Sequence, residues 1–176
     1  MNPKDLSSSI RSVPDFPRRG IVFRDITTLL KDPAAFKEAL DVFSSRYKSV
    51  PVDKIVGIES RGFIFGAALA DRLNVGFIPA RKPGKLPATT LKEEYELEYG
   101  RDSIEIHADA IHPGDRILVH DDLLATGGTA SATCRLVERM GGTIVGCCFL
   151  IELSFLSGKE RLRGYDLFSI IQYHSE

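Results

Sequence analysis

The sequence predicts an α/β fold: a mostly parallel, twisted sheet flanked by helices. Three observations carry this. From residue 54 onward apolar strand-like runs alternate with helical patterns, the helical stretches close on Asn or Gly, and one segment, 83–113, breaks the alternation and reads as an insertion. Alternating strands and helices give parallel strands buried on both faces. At 176 residues, with 43% hydrophobic and 27% charged residues, the chain suits a single domain over 1–176 with a sizeable core.

Taken in order, residues 11–32 are punctuated by Pro14, Pro17, Gly20 and then Pro33, so residues 1–32 read as an ordered but irregular arm ahead of a core over 33–176. Asp32 before Pro33 is an N-cap and first-turn pair, and Phe36, Leu40, Phe43 and Tyr47 follow at helical spacing. KIVGIE (54–59) reads as a strand, RGFIFGAALADRLN (61–74) as a helix and GFIPARK (76–82) as a second strand. DRILVHD (115–121) is a third strand and GTASATCRLVERMGG (128–142) a helix closed by glycines. TIVGCCFLIEL (143–153) and DLFSIIQY (166–173) complete the strands. In the insertion, LKEEYELEYG and DSIEIHADAI form an antiparallel pair on a Pro- and Gly-rich loop, with residues 83–98 expected to be a mobile lid.

A net charge of −1 argues against general nucleic-acid binding, and the longest apolar run, IVGCCFLI (144–151), is too short to span a bilayer. The start, MNPKDLSSSI, lacks the apolar stretch of a signal peptide. Three cysteines without CxxC spacing make no disulfide framework, and Cys147 and Cys148 should point to opposite faces as buried small hydrophobes. A cytoplasmic protein with no membrane or nucleic-acid partner is expected.

Ligands of such sheets gather beyond the carboxyl ends of the strands, which singles out GIESRG, ARKPGKLP and HDDLLATGGT. In ATGGT (125–129), Gly127 and Gly128 permit a turn whose N–H groups converge at a helix N-terminus, with the hydroxyls of Thr126 and Thr129 beside them. A plain strand-to-helix turn accounts for the glycines equally well. The carboxylates of Asp121 and Asp122 decide between the two, because ionised acids repel a phosphate unless they hold something between. A ribose phosphate satisfies both halves: its phosphate lies in ATGGT and its hydroxyls meet the acids. The rivals fail on spacing. Gly84-Lys85 and Gly158-Lys159 continue with Leu86 and Glu160 rather than Ser or Thr, no G-x-G-x-x-G occurs, and Ile58 stands where a nucleophile elbow needs glycine.

VHDDLLATGGTA (119–130) resembles the 5-phosphoribosyl-1-diphosphate (PRPP) signature of the type I phosphoribosyltransferase family. FPRRGIVFRDIT (16–27), GIESRGFIFG (57–66), RKPGKLP (81–87) and LEYG (97–100) are similar to its adenine-specific branch, in the same order along the chain. The resemblance implies transfer of 5-phosphoribosyl from PRPP to adenine, giving AMP and pyrophosphate, on a core of the predicted kind with an N-terminal hood.

Its site residues follow by position. Asp121, Asp122, Ala125, Thr126, Gly127, Gly128 and Thr129 would hold the PRPP ribose and phosphate. Glu59, Ser60, Arg61, Arg81 and Lys85 would hold the pyrophosphate, with a cis peptide between Glu59 and Ser60. Phe23 would stack on adenine, the backbone of Val22 and Arg24 would read its edge, and Leu123, from the acidic loop, would cover its other face. Glu98 would manage the purine proton. Mg²⁺ would be held mainly by PRPP, through Asp121 or Asp122 and without a direct protein cage. A homodimer is implied, with Arg81 reaching the neighbouring site. Lys82 reads equally as a solubilising charge, Arg18 and Arg19 as solvated, and His120 as packing. The alternative is a PRPP-binding regulator of the same fold, which needs Asp121–Thr129 but has no use for Glu98.

Overall fold

The computed structural model describes residues 3–97 and 100–176. Five strands form the central sheet: β3 (Lys54–Ile58), β4 (Gly76–Ala80), β7 (Arg116–Leu124), β8 (Thr143–Leu153) and β9 (Leu167–Tyr173), in the order β4-β3-β7-β8-β9. Every neighbouring pair is parallel. From β3 the chain first steps outward to β4, then returns to place β7 on the other side. The order therefore reverses between β3 and β7, and the crevice beyond their carboxyl ends is where such sheets bind ligands.

Two apolar layers cover the sheet. On one side α3 (Pro33–Tyr47) and α4 (Gly62–Leu73) bury Phe43, Tyr47, Phe65 and Leu69 against it. Each such side chain contributes about 1.5–3 kcal/mol by leaving water. On the other side α5 (Gly128–Arg139) buries Ala132, Cys134, Leu136 and Val137. Cys148 belongs to the first layer and Cys147 to the second, as the strand alternation requires. Helix boundaries follow local chemistry. Asp32 accepts from Ala34 N–H at 2.9 Å and Ala35 N–H at 3.3 Å, and α4 ends on Asn74 in the left-handed conformation at φ 55°.

Three regions differ from the sequence expectation. The arm contains α1 (Pro3–Ser8), an antiparallel pair β1 (Arg11–Pro14) and β2 (Val22–Asp25), and a one-turn helix, α2 (Thr27–Leu30). Its prolines and glycine sit in the 15–21 connection and at the end of β1, where they punctuate a hairpin rather than prevent one. β7 continues to Leu124, so the acidic pair and Leu123 stand on the strand and not in a loop after it. β8 supplies parallel partners for Asp121, Leu123 and Leu124, which extends the strand past its charges. Finally, β5 (Thr90–Glu96) and β6 (Arg101–His107) form the antiparallel pair, but β5 is tied down within the expected lid. Tyr95 is only 6% exposed, and Glu93 receives Arg135 Nε at 2.9 Å and Arg139 Nη1 at 2.5 Å from α5. The segment has little apolar surface to hold it to the core, and Glu93 adds a tie to α5 by charge.

Candidate active site

The reversal point is framed by the turn after β3 and the end of β7. Leaving β7, the chain enters a cleft of about 90 Å³ lined by Asp121, Leu123 and residues 124–130. Gly127 takes φ 79° at the N-cap of α5, so the first N–H groups of that helix face the cleft without a side-chain cap. A second segment sets this shape. A Cβ on Gly158 would stand 2.1 Å from the Ala125 carbonyl oxygen, and one on Gly127 would stand 2.4 Å from the Gly158 carbonyl oxygen. In the sequence Gly158 stands only in a Gly-Lys pair that fails the P-loop spacing, and no local pattern in LSGKER marks it. A larger cleft of about 320 Å³ lies past Gly128, but Glu94 and Glu96 offset its Arg101, Arg135 and Arg161, so size alone does not mark the site.

The acids differ from one another. Asp122 is buried and pairs with Arg61, Nε to Oδ2 at 2.8 Å. Asp121 accepts the Asp122 N–H at 2.8 Å, and burial together with the neighbouring Asp122 charge pushes its carboxyl well above the usual range. The sequence reading of two ionised acids is therefore corrected. The Arg61 guanidinium pairs directly with Asp122 and only partly offsets the burial and like charge that disfavour an ionised Asp121. Helix α4 starts close enough that a Cβ on Gly62 would meet Asp121 Oδ1 at 2.9 Å.

Glu59 and Ser60 flank a cis peptide bond, and Ser60 is exposed. Glu59 turns toward its basic neighbours rather than outward. Its carboxylate accepts Arg81 Nη2 at 2.9 Å and Lys82 N–H at 3.0 Å, with Lys85 Nζ at 3.6 Å. The Arg81 hydrogen bond holds its carboxyl below the ordinary value. Arg81 Nε is buried with no hydrogen-bond partner among the described residues, a donor without an acceptor. Lys82 is not a solubilising charge: its ammonium bonds the Tyr95 hydroxyl at 2.7 Å and Asp102, joining the hairpin to the end of β4.

On the arm, Phe23 meets Phe16 edge-on at 5.2 Å, and the Arg61 guanidinium lies 5.1 Å from the Phe23 ring centre. The Arg24 side chain is engaged elsewhere, 3.9 Å over the Tyr173 ring and 2.6 Å from Ser12 Oγ, which leaves its backbone for recognition. Val22 N–H donates to Glu176 Oε2 at 2.9 Å, a contact that sequence reasoning missed. Leu123 is half-buried against the α3–α4 layer. Glu98 lies outside the described residues. His120 is fully buried, edge-on to Phe43 at 5.3 Å, and burial pushes its pKa down to about 4, in keeping with packing.

Residues 25–174 match the phosphoribosyl transferase domain. An adenine phosphoribosyltransferase from Christiangramia forsetii is 56% identical over 169 residues, 96% of this chain and 99% of its own. The chain belongs to the adenine phosphoribosyltransferase family. Two solved structures agree. The adenine phosphoribosyltransferase of Thermoanaerobacter pseudethanolicus superposes with a TM-score of 0.95 at 51% identity, covering 98% of this chain and all (100%) of that one. The Saccharomyces cerevisiae enzyme, solved with adenine and an imino-altritol bisphosphate, gives 0.90 at 40% identity over 96% and 97% of the two chains. Adenine phosphoribosyltransferase family members thus share this fold along nearly the whole chain, from the hood to β9.

Proposed function

We propose that the chain transfers 5-phosphoribosyl from PRPP to adenine, forming AMP and pyrophosphate. The single observation that carries this is the end of β7, where the Asp121–Asp122 pair leads directly into the N–H-lined turn at 125–129. A ribose phosphate spans that distance with its hydroxyls on the acids and its phosphate at the helix N-terminus.

In this reading each group has one task. Thr126–Thr129 fix the 5′-phosphate and Asp121 and Asp122 orient the ribose. Arg61, Arg81 and Lys85 take the negative charge that builds on the departing pyrophosphate, and the unpartnered Arg81 Nε supports an anion there. N9 of adenine attacks C1′ from the opposite face as the C1′–O bond breaks. Phe23 and Leu123 sandwich the base, Val22 and Arg24 read its edge, and Glu98 manages the purine proton. Mg²⁺ fits this donor set as an ion that arrives with PRPP. Asp122 already has Arg61 and the charge of Asp121 is disfavoured, so the pair makes a poor resident cage but offers hard oxygens, directly or through water. When bound, the ion supplies neutralisation of the diphosphate.

We further propose a cytoplasmic homodimer with Arg81 near the subunit boundary. No described helix is long and apolar enough to cross a membrane. The regulatory alternative has no observation in its favour. Incubation of the protein with adenine, PRPP and Mg²⁺ should produce AMP, and full activity in excess EDTA with metal-free reagents would contradict the role given to the ion.

A further inference from the structure

We propose that the Glu176 carboxylate recognises the exocyclic amine of the base and excludes an oxo group from that position; this rests on the base site proposed above. β2 belongs to a two-stranded sheet, so one of its edges pairs with no strand among the described residues. Val22 N–H donates to Glu176 Oε2 at 2.9 Å, which places the outward-facing backbone groups of β2 on Val22. In an antiparallel pair the N–H and C=O of one residue share a side, and the side alternates along the strand. Val22 C=O and Arg24 N–H, the groups proposed to read the base, therefore lie on the edge that Glu176 borders. Tyr173 packs on the same segment, its ring centre 3.9 Å from the Arg24 guanidinium. Residues 173–176 thus run alongside the reading edge and leave the Glu176 side chain exposed there.

The order of groups along that edge fixes the chemistry. With N1 of a 6-aminopurine accepting from Arg24 N–H and one N6 hydrogen donated to Val22 C=O, the direction from N1 to N6 runs toward Val22 N–H. The second N6 hydrogen then points at the carboxylate. An ionised carboxylate is an acceptor with two oxygens, so one can keep Val22 N–H while the other takes the amine. A 6-oxopurine would set its carbonyl oxygen against both Val22 C=O and the carboxylate, and its N1–H against Arg24 N–H. A site built around a hydrogen-bonding group rejects the analogue that lacks it far more strongly than one built on shape.

Steady-state kinetics of Glu176→Gln and Glu176→Ala, with adenine and with hypoxanthine, test this. Both variants should lose about tenfold in kcat/KM for adenine, the scale of one hydrogen bond to a charged acceptor. Gln brings N–H donors that match an oxo group, so the adenine-to-hypoxanthine ratio should fall by more than about tenfold in Glu176→Gln. The KM for PRPP should stay within about twofold, since its contacts lie on β7 and the 125–129 turn. A ratio unchanged in both variants, with wild-type protein turning over adenine, overturns the proposal and leaves Glu176 as a tether for the arm. Wild-type protein that makes no AMP from adenine would instead overturn the underlying base site, and the two failures are told apart by that control.

Discussion

Arg61 stands between Asp122 and Phe23, its Nε 2.8 Å from the carboxylate and its guanidinium carbon 5.1 Å from the ring centre. One cation thus neutralises half of the acidic pair and covers the face proposed to receive the base. A diphosphate offers that guanidinium more negative charge than Asp122 does, so the arrival of PRPP should draw it off the ring. Arg61→Ala should therefore tighten adenine binding in the absence of PRPP by about two- to fivefold, the worth of an exposed cation–π contact, while raising the KM for PRPP tenfold or more, on the order of a lost charge-assisted hydrogen bond. Calorimetry with adenine alone reads the first effect. Weaker adenine binding in the variant would mean that the guanidinium is part of the base site.

The two acids should respond differently to amidation. Asp121→Asn removes a charge that burial already disfavours, so its melting temperature should match or exceed that of the wild type. Asp122→Asn leaves Arg61 without its partner and should melt lower. Both should weaken productive PRPP binding by about tenfold or more, each having lost an acceptor for the ribose. Wild-type PRPP kinetics in both variants would remove the ribose from this pair.

Gly158→Ala should damage PRPP binding although residue 158 is assigned no ligand. Its methyl group would overlap the Ala125 carbonyl, a backbone atom that cannot rotate away, so the 125–128 turn must deform. A rise of about tenfold or more in the KM for PRPP is expected, with the adenine KM little changed. Unaltered PRPP kinetics would show that the turn tolerates a shift of the Gly158 segment that supports it.

His120 makes stability depend on pH. Its pKa is about 4 in the folded chain against an ordinary 6.5, so the unfolded chain takes up the proton first as pH falls. Stability is therefore complete above pH 6.5 and declines between 6.5 and 4, by about 3 kcal/mol at most. His120→Leu, similar in bulk and unable to titrate, should flatten the fall in melting temperature across that window. An equally steep fall in the variant would assign the effect to other groups.

Glu98→Gln should lower kcat by about 10²-fold or more, the usual scale for a positioned acid–base group, with PRPP affinity barely changed. An unchanged kcat would return Glu98 to the role of one acid among several in KEEYELEYG.

What the sequence revealed was whatever depends on neighbours in the chain. The cap at Asp32, the left-handed stop at Asn74, the opposed Cys147 and Cys148 and the five parallel strands all follow from local pattern. Relations between distant segments stayed hidden. Glu93 gives no sign of meeting Arg135 and Arg139, nor Val22 of meeting Glu176, because nothing in either stretch encodes the other. The same holds for charge state. Two adjacent aspartates read as two anions until the like charge that faces Asp121 and the Arg61 ion pair of Asp122 are known.

The contact of Gly158 with the 125–127 backbone makes the phosphate turn the joint product of two stretches of chain. Copying residues 119–130 onto another sheet would transplant the letters without the mould that shapes them. A useful graft must carry the 3₁₀ segment Gly158–Leu162 as well, and a split version of the chain should be divided anywhere but between these two pieces.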